Sequence, residues 1–289
     1  MTVYPFKIPL PFFPHELTGY GLMMMVAFLI GGWLVALELR RRRFSDDYSA
    51  DLVAAAVIGG VIGAKLWYVA LTRDPGALFA RGGFVWYGGF LGGTAAVILN
   101  GWRLRVPLRW TMHLVAPALA ASYALGRVGC FLVNDDYGRP SGLPWAMKFP
   151  QGLPPSTAGN LQQLFGIPIP PGTDASAVLA VHPTQLYEVV LMVGAFFVLW
   201  IWRTRARPVG WLFGAYLVFA GLERFLVEIL RAKDDRFLGP FTLAQLTSVG
   251  LIAVGAYVLS AWPNDPDPAP GAYLTTGEGS AASKTSTAV

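Results

Sequence analysis

Two stretches of this chain place charge where charge is expensive. The first is Gly126-Arg127-Val128-Gly129-Cys130-Phe131-Leu132-Val133-Asn134-Asp135-Asp136-Tyr137-Gly138-Arg139. It leaves an apolar run that begins near Met112 and ends in two carboxylates and a second arginine. Arg127 stands just inside the end of that run. An arginine costs about 2.5–3.5 kcal/mol at the centre of a membrane helix and less toward its end, so it needs an anionic partner, a carboxylate or a lipid phosphate. Gly126, Gly129, Gly138 and Pro140 let the backbone bend and come close to a ligand. The competing reading is an arginine that snorkels at a helix end, with a polar turn after it.

The second stretch is Glu223-Arg224, followed by Glu228 and Arg231. Arg224, Glu228 and Arg231 stand at i, i+4 and i+7 and so share one face of a helix. Two cations around one anion leave about one positive charge over, which suits an anionic ligand. The competing reading is an ion-pair stripe that satisfies itself. A third polar group is His182-Pro183-Thr184-Gln185 with Glu188. Proline suits a first helical turn, so His182 is expected near the cap, as a packing or capping residue rather than a proton carrier. Glu188 is expected as a hydrogen-bond anchor inside a bundle. Tyr20 and Tyr87 read as interfacial aromatics. Cys130 reads as an inert buried thiol, with no His nearby in sequence to activate it.

The elements that must hold these groups are membrane spans. Of 289 residues, 54% are hydrophobic and 13% charged, about half the charge of a soluble domain. One cysteine excludes an internal disulfide or a multi-Cys metal site. His15, His113 and His182 show no ligand spacing, so neither a metal nor a cofactor is expected. Arginines in short tracts between apolar runs argue against nucleic-acid binding.

Seven runs are about long enough to cross a bilayer: 21–39, 52–71, 84–102, 111–133, 182–202, 210–230 and 241–262. The first ends in Arg40-Arg41-Arg42-Arg43. Its charge follows the apolar run, unlike that of a cleavable signal peptide, so the segment should stay. Gly59, Gly60 and Gly63 in the second run, and Gly88, Gly89, Gly92 and Gly93 in the third, suit close helix packing. Lys65 is expected to reach the interface or a polar interior, and Pro117 to kink the fourth span. The positive-inside rule then puts Arg40–Arg43, Arg103/Arg105/Arg109 and Arg203/Arg205/Arg207 on one, cytoplasmic, side. The N-terminus is expected outside and the C-terminus inside, and 126–139, His182 and 224–236 fall on or near the outer face. Residues 134–181 form a long external loop, functional or disordered. The polar 263–289 segment cannot bury a core and is expected as a disordered cytoplasmic tail after a 1–262 transmembrane domain.

In order, these pieces resemble the prolipoprotein diacylglyceryl transferase family over about residues 14–262. The specific ones are the 126–139 signature and His182-Pro183-Thr184-Gln185-Leu186-Tyr187-Glu188. Gly19-Tyr20-Gly21-Leu22-Met23, Tyr87-Gly88-Gly89-Phe90-Leu91-Gly92-Gly93, Arg224-Phe225-Leu226-Val227-Glu228-Ile229-Leu230-Arg231 and Phe241-Thr242-Leu243-Ala244-Gln245 accompany them. The resemblance implies an all-α, seven-span enzyme of the bacterial inner membrane. Such enzymes move the diacylglyceryl group of phosphatidylglycerol onto the lipobox cysteine of a prolipoprotein signal peptide and release glycerol phosphate. It implies that Arg127 and Arg224 bind and stabilise the phosphate, with Asp135 as the family's acidic residue and Glu228 as its ion-pairing glutamate. Tyr20, Gly88, Gly89, Cys130, Gly138, Arg139, His182, Gln185, Glu188 and Arg231 are expected to line the lipid and peptide site. Many members have His where this chain has Tyr87, Asn at Cys130 and Tyr at Ala220. The thiol base is therefore Tyr87, an acid such as Asp135, or not protein-derived. Two rival readings are a catalytically altered relative that acts as a lipid or lipoprotein scaffold, and a transporter. The transporter would need inverted repeats and broken helices meeting at mid-membrane, and no convincing repeat is seen.

Overall fold

Each expected span coincides with a long helix. In the computed structural model, which describes residues 1–9, 16–79, 83–233, 236–238 and 241–274, these are α1 (Gly19–Arg41), α2 (Asp47–Thr72), α3 (Trp86–Arg103) and α4 (Leu108–Leu132), then, after a short α5 (Ala158–Gln163), α6 (Thr184–Trp202), α7 (Trp211–Glu228) and α8 (Leu243–Ala261). Five of them, α1, α2, α4, α6 and α8, are long and apolar enough to cross a membrane by length and composition. Strands occur only as two-stranded pairs among the described residues. The chain is thus an all-α, multi-pass membrane protein. Apolar side chains such as Trp33, Leu66, Leu99, Val190, Phe197 and Tyr257 stay exposed on the helices, as expected where the solvent is lipid.

The helix ends follow local chemistry. Thr242 starts α8 with a capping box: its hydroxyl accepts from Gln245 N at 3.1 Å, and Gln245 Oε1 accepts from Thr242 N at 3.2 Å. Arg73 closes α2 in the left-handed region at φ 54°, its N–H donating to Val69 O, the usual way to satisfy a last-turn carbonyl. Pro117 lies inside α4, which continues past it to Leu132.

The contacts divide the chain into two compact units whose boundaries cut α1 and α4. One unit comprises Met1–Phe28, Leu119–Arg207 and Trp211–Asn264. In it, α7 and α8 pack through small residues, and a Cβ on Gly255 would lie 2.7 Å from Gly214 O. The long 134–181 segment is folded. Met147–Lys148 pairs antiparallel with Ala180–Val181, and Tyr137, Phe149, Leu161, Val181 and Ala232 form a small core. The N-terminus joins this head, with Val3 N donating to Lys148 O at 2.9 Å.

The second unit comprises Leu29–Ala118, Pro208–Gly210 and the chain from Asp265. Two of the four consecutive arginines neutralise an internal carboxylate: Arg41 Nε and Arg42 Nε donate to the buried Glu38 at 2.8 and 2.6 Å. Lys65 is buried, its ammonium 4.6 Å from the centre of the Phe84 ring. The polar tail expected from residue 263 departs from featurelessness in its first part. Trp110 Nε1 donates to Pro268 O at 2.8 Å, Ser45 N donates to Leu274 O at 3.1 Å, and Leu274 is fully buried. A proline-rich strap needs no core of its own when a folded neighbour supplies donors for its carbonyls. Residues 275–289, His15 and part of the polar turn after α7 lie outside the described residues.

In this unit α2 and α3 pack closely through their glycine faces. A Cβ on Gly63 would lie 2.3 Å from Gly88 O, and one on Gly92 2.4 Å from Gly59 O. Those obstacles are backbone and cannot move aside. One turn earlier, a Cβ on Gly60 would meet Gly89 O at an ordinary 3.6 Å. Gly63→Ala is therefore expected to lower the thermal unfolding midpoint in detergent, by an overpacking cost of about 1–3 kcal/mol, while Gly60→Ala leaves it unchanged or raises it. Equal behaviour of the two would show that the contact does not hold the helices.

Candidate active site: a ring of buried ion pairs

Three arginines and three carboxylates from α4, α6, α7 and the loops beside them close into an alternating ring. Arg127, near the end of α4, places Nη1 2.8 Å from Asp136 Oδ2 and Nε 2.8 Å from Glu188 Oε2. Glu188, on the first turns of α6, has its other oxygen 3.7 Å from Arg224 Nη1. Arg224 Nη2 lies 2.7 Å from Glu228 Oε2, and Glu228 Oε2 lies 3.8 Å from Arg231 Nε. Arg231 Nη2 pairs with Asp136 Oδ1 and completes the circuit. The side chains of Glu188 and Glu228 are 0% and 1% exposed, that of Asp136 31%.

Backbone hydrogen bonds stitch together the segments that carry the ring. Gly138 N donates to His182 O at 2.8 Å, His182 N to Arg139 O at 3.0 Å and Arg139 N to Leu230 O at 2.8 Å. Only glycine fits at 138, where a Cβ would lie 2.5 Å from Leu230 O. Thr184 Oγ1 donates to Asp136 O at 2.7 Å, and Gln185 Nε2 donates to Asp135 O. Asn134 and Asp136 both adopt left-handed backbone, φ 60° and 62°. Asn and Asp tolerate this region better than most residues, and such strain concentrates at functional sites.

Two expectations change here. Arg224, Glu228 and Arg231 do not share a helix, because α7 stops at Glu228 and Arg231 is reached through a turn in which Arg231 N donates to Glu228 O. The surplus cation counted on that stripe is also absent from the ring, since Glu188 and Asp136 arrive from α6 and the signature loop to balance it. Counting charges along one helix cannot see partners on another.

The joints are unequal. Those between Arg224 and Glu188 and between Arg231 and Glu228 are long, and Arg224 Nη1 and Arg231 Nε are buried without a hydrogen bond. Buried donors left unmade are costly.

Asp135 sits beside the ring without joining it. Its Oδ1 accepts from Asp136 N at 2.7 Å. Burial pushes its carboxyl above the ordinary range, and the negative charge of Asp136 adds to this. For Asp136 burial acts the same way, but Arg231 and Arg127 outweigh it and hold the carboxyl low. Cys130 accepts from Arg127 Nη1 at 3.5 Å. Tyr20 packs against α4, its Cα 3.2 Å from where a Gly129 Cβ would stand. Arg139 Nε donates to Arg231 O at 3.2 Å. His182 stays apart, its Nδ1 3.1 Å from Tyr187 Oη, which also accepts from Trp145 Nε1 at 2.8 Å. Burial lowers its pKa.

Tyr87, Gly88 and Gly89 belong to the other unit. Tyr87 is 53% exposed with its ring edge-on to Trp86, and Gly88 packs against α2. Sequence reasoning gave no individual role to three residues near the ring. Asp136 bridges two arginines. Tyr123, one turn before Arg127, donates to Glu188 Oε1 at 3.5 Å. Glu223 is buried within electrostatic reach of Glu188, Arg127 and Arg224. For Tyr123 the available signal was its i−4 spacing from Arg127; for Asp136 there was none beyond adjacency to Asp135. Among the described residues no group of three or more His, Cys, Asp or Glu is placed to hold a metal ion.

Comparison with known proteins agrees with the order of motifs. The family described as prolipoprotein diacylglyceryl transferase matches residues 7–261. A phosphatidylglycerol–prolipoprotein diacylglyceryl transferase of Nostoc sp. is 34% identical over 255 residues, covering 84% of each chain. Enzymes of the same name from Thermosynechococcus vestitus and Clostridium tetani are 32% and 28% identical, covering 84% and 86% of this chain and 87% and 94% of theirs. With the match running from residue 7 to the end of α8, the chain belongs to the prolipoprotein diacylglyceryl transferase family.

Proposed function

We propose that this protein transfers the diacylglyceryl group of phosphatidylglycerol to the lipobox cysteine of prolipoproteins, releasing glycerol phosphate. The observation that carries the reading is the meeting of Arg127 and Arg224 on one carboxylate, Glu188, with a buried unsatisfied donor on Arg224. The names of its relatives support the substrates: phosphatidylglycerol and a prolipoprotein. The three basic tracts support seven spans with the N-terminus outside, in the bacterial inner membrane, and so the ring on the outer side.

The reaction is a displacement. The lipobox thiol loses its proton, its sulfur forms a bond to the glycerol carbon, and the carbon–oxygen bond to phosphate breaks with its electrons on oxygen. A phosphodiester thereby becomes a monoester, and negative charge grows on the phosphate. Guanidiniums already fixed by Glu188, Glu228 and Asp136 stabilise that charge without reorganising, and the low dielectric strengthens the effect. A free thiol has a pKa of about 8.5, so a few per cent is ionised near neutral pH. A strong base is then unnecessary. Tyr87 and Asp135 are the two side-chain candidates for proton acceptor.

The direct assay incubates purified protein with phosphatidylglycerol and a lipobox peptide and weighs the peptide; no mass gain would defeat the proposal. Arg127→Ala and Arg224→Ala are each expected to cut transfer by at least about 10²–10³, with the protein still inserted and monodisperse. The corresponding Lys exchanges should rescue only partly, because an ammonium cannot make the two-pronged contact. Tyr87→Phe is expected to slow transfer less than Arg127→Ala. Measured with radiolabelled lipid, the opposite order would make Tyr87 the proton acceptor.

A further inference from the structure

Of the three carboxylates in the ring, Asp136 differs in kind. Glu188 and Glu228 are carried on helices and wholly buried, whereas Asp136 hangs from a turn and its side chain is 31% exposed. Its two oxygens are divided between guanidiniums from separate elements, Arg127 on α4 and Arg231 beyond α7. That is how two oxygens of one phosphate would be held by the same pair of arginines. The backbone aims the carboxylate there: φ is 62°, the N–H donates to Asp135 Oδ1 at 2.7 Å, and the carbonyl accepts from Thr184 Oγ1 at 2.7 Å.

We propose that Asp136 is an internal stand-in for the lipid phosphate, bridging Arg127 and Arg231 until the phosphodiester of the substrate displaces it. The inference rests on the phosphate-binding role proposed above for this site and adds a competitor within it. Charge arithmetic supports the exchange. With Asp136 in place three cations face three anions; with it swung out the ring holds one surplus positive charge. A phosphodiester carries one negative charge and replaces the carboxylate one for one. The product is a monoester whose second proton leaves at a pKa of about 6, so it binds these arginines more tightly than the substrate did. The returning carboxylate then competes it off. Asp136 thus weakens binding of both substrate and product and speeds release.

The test titrates glycerol phosphate into full-length protein in detergent by calorimetry, and phosphatidylglycerol in nanodiscs into the same variants. If the carboxylate occupies the arginines for about nine-tenths of the time, Asp136→Asn tightens Kd for glycerol phosphate about tenfold. It also lowers KM for phosphatidylglycerol, and it lowers kcat because product leaves slowly. Asp136→Glu keeps the charge and stays near wild type, and Asp136→Ala behaves as Asp136→Asn. Unchanged or weaker binding in both neutral variants would overturn the inference, as would their failure to fold, which would make Asp136 a structural brace. Tightening confined to glycerol phosphate, with none for the lipid, would also overturn it as a lipid stand-in. Arg127→Ala separates the two levels: retained glycerol phosphate binding there defeats the underlying reading of the site, whereas lost binding there with no tightening in Asp136→Asn defeats this inference alone.

Discussion

Burying six formal charges within a membrane protein is possible only if each cation finds its anion. The desolvation of a single buried ion amounts to several kcal/mol even after relaxation. Alternating Arg127, Asp136, Arg231, Glu228, Arg224 and Glu188 in a closed circuit meets that requirement with no charge left unopposed. The architecture of this unit follows from it. The ring's six members come from two spans, a helix end and two loops, so those segments must be locked in register. The backbone bonds among Gly138, His182 and Leu230, the close approach that only Gly138 permits, and the left-handed Asp136 do that locking.

A balanced ring is also a prepared one. Its arginines are oriented before any ligand arrives, and two of its joints are loose, with Arg224 Nη1 and Arg231 Nε lacking a hydrogen bond. Replacing one anion of such a ring by another leaves the net charge unchanged, so exchange is far less costly than filling an empty cationic pocket. The folded head over 134–181 contributes by fixing the turn from which Asp136 and Gly138 project. Its core uses Tyr137, the residue between them, stacked on Phe149 with ring centres 5.5 Å apart.

The second unit answers a different demand. Its α2 and α3 approach until carbonyls meet the faces of glycines, which is how helices gain contact where lipid supplies no hydrophobic drive between them. Its charged groups are handled as in the ring: Glu38 takes two arginines, and Lys65 lies over an aromatic face.

Hydropathy by itself determined the class and the placement of the long helices, because a bilayer admits few backbone solutions and each leaves a run of about 20 apolar residues; the family resemblance rested instead on the 126–139 and 182–188 motifs. Helix periodicity also paired Arg224 with Glu228, a contact between neighbours on one helix. Only the tertiary structure decided that Arg127 and Arg224 share Glu188, that Asp136 rather than Asp135 enters the ring, that α7 ends before Arg231, and that the polar segment up to Leu274 is strapped down. The ion-pair outcomes depend on which charges from distant segments neutralise one another, and the strap depends on donors that distant segments offer its carbonyls. Spacing along the chain carries no information about that, because Coulomb attraction acts through space and its partners are chosen by packing.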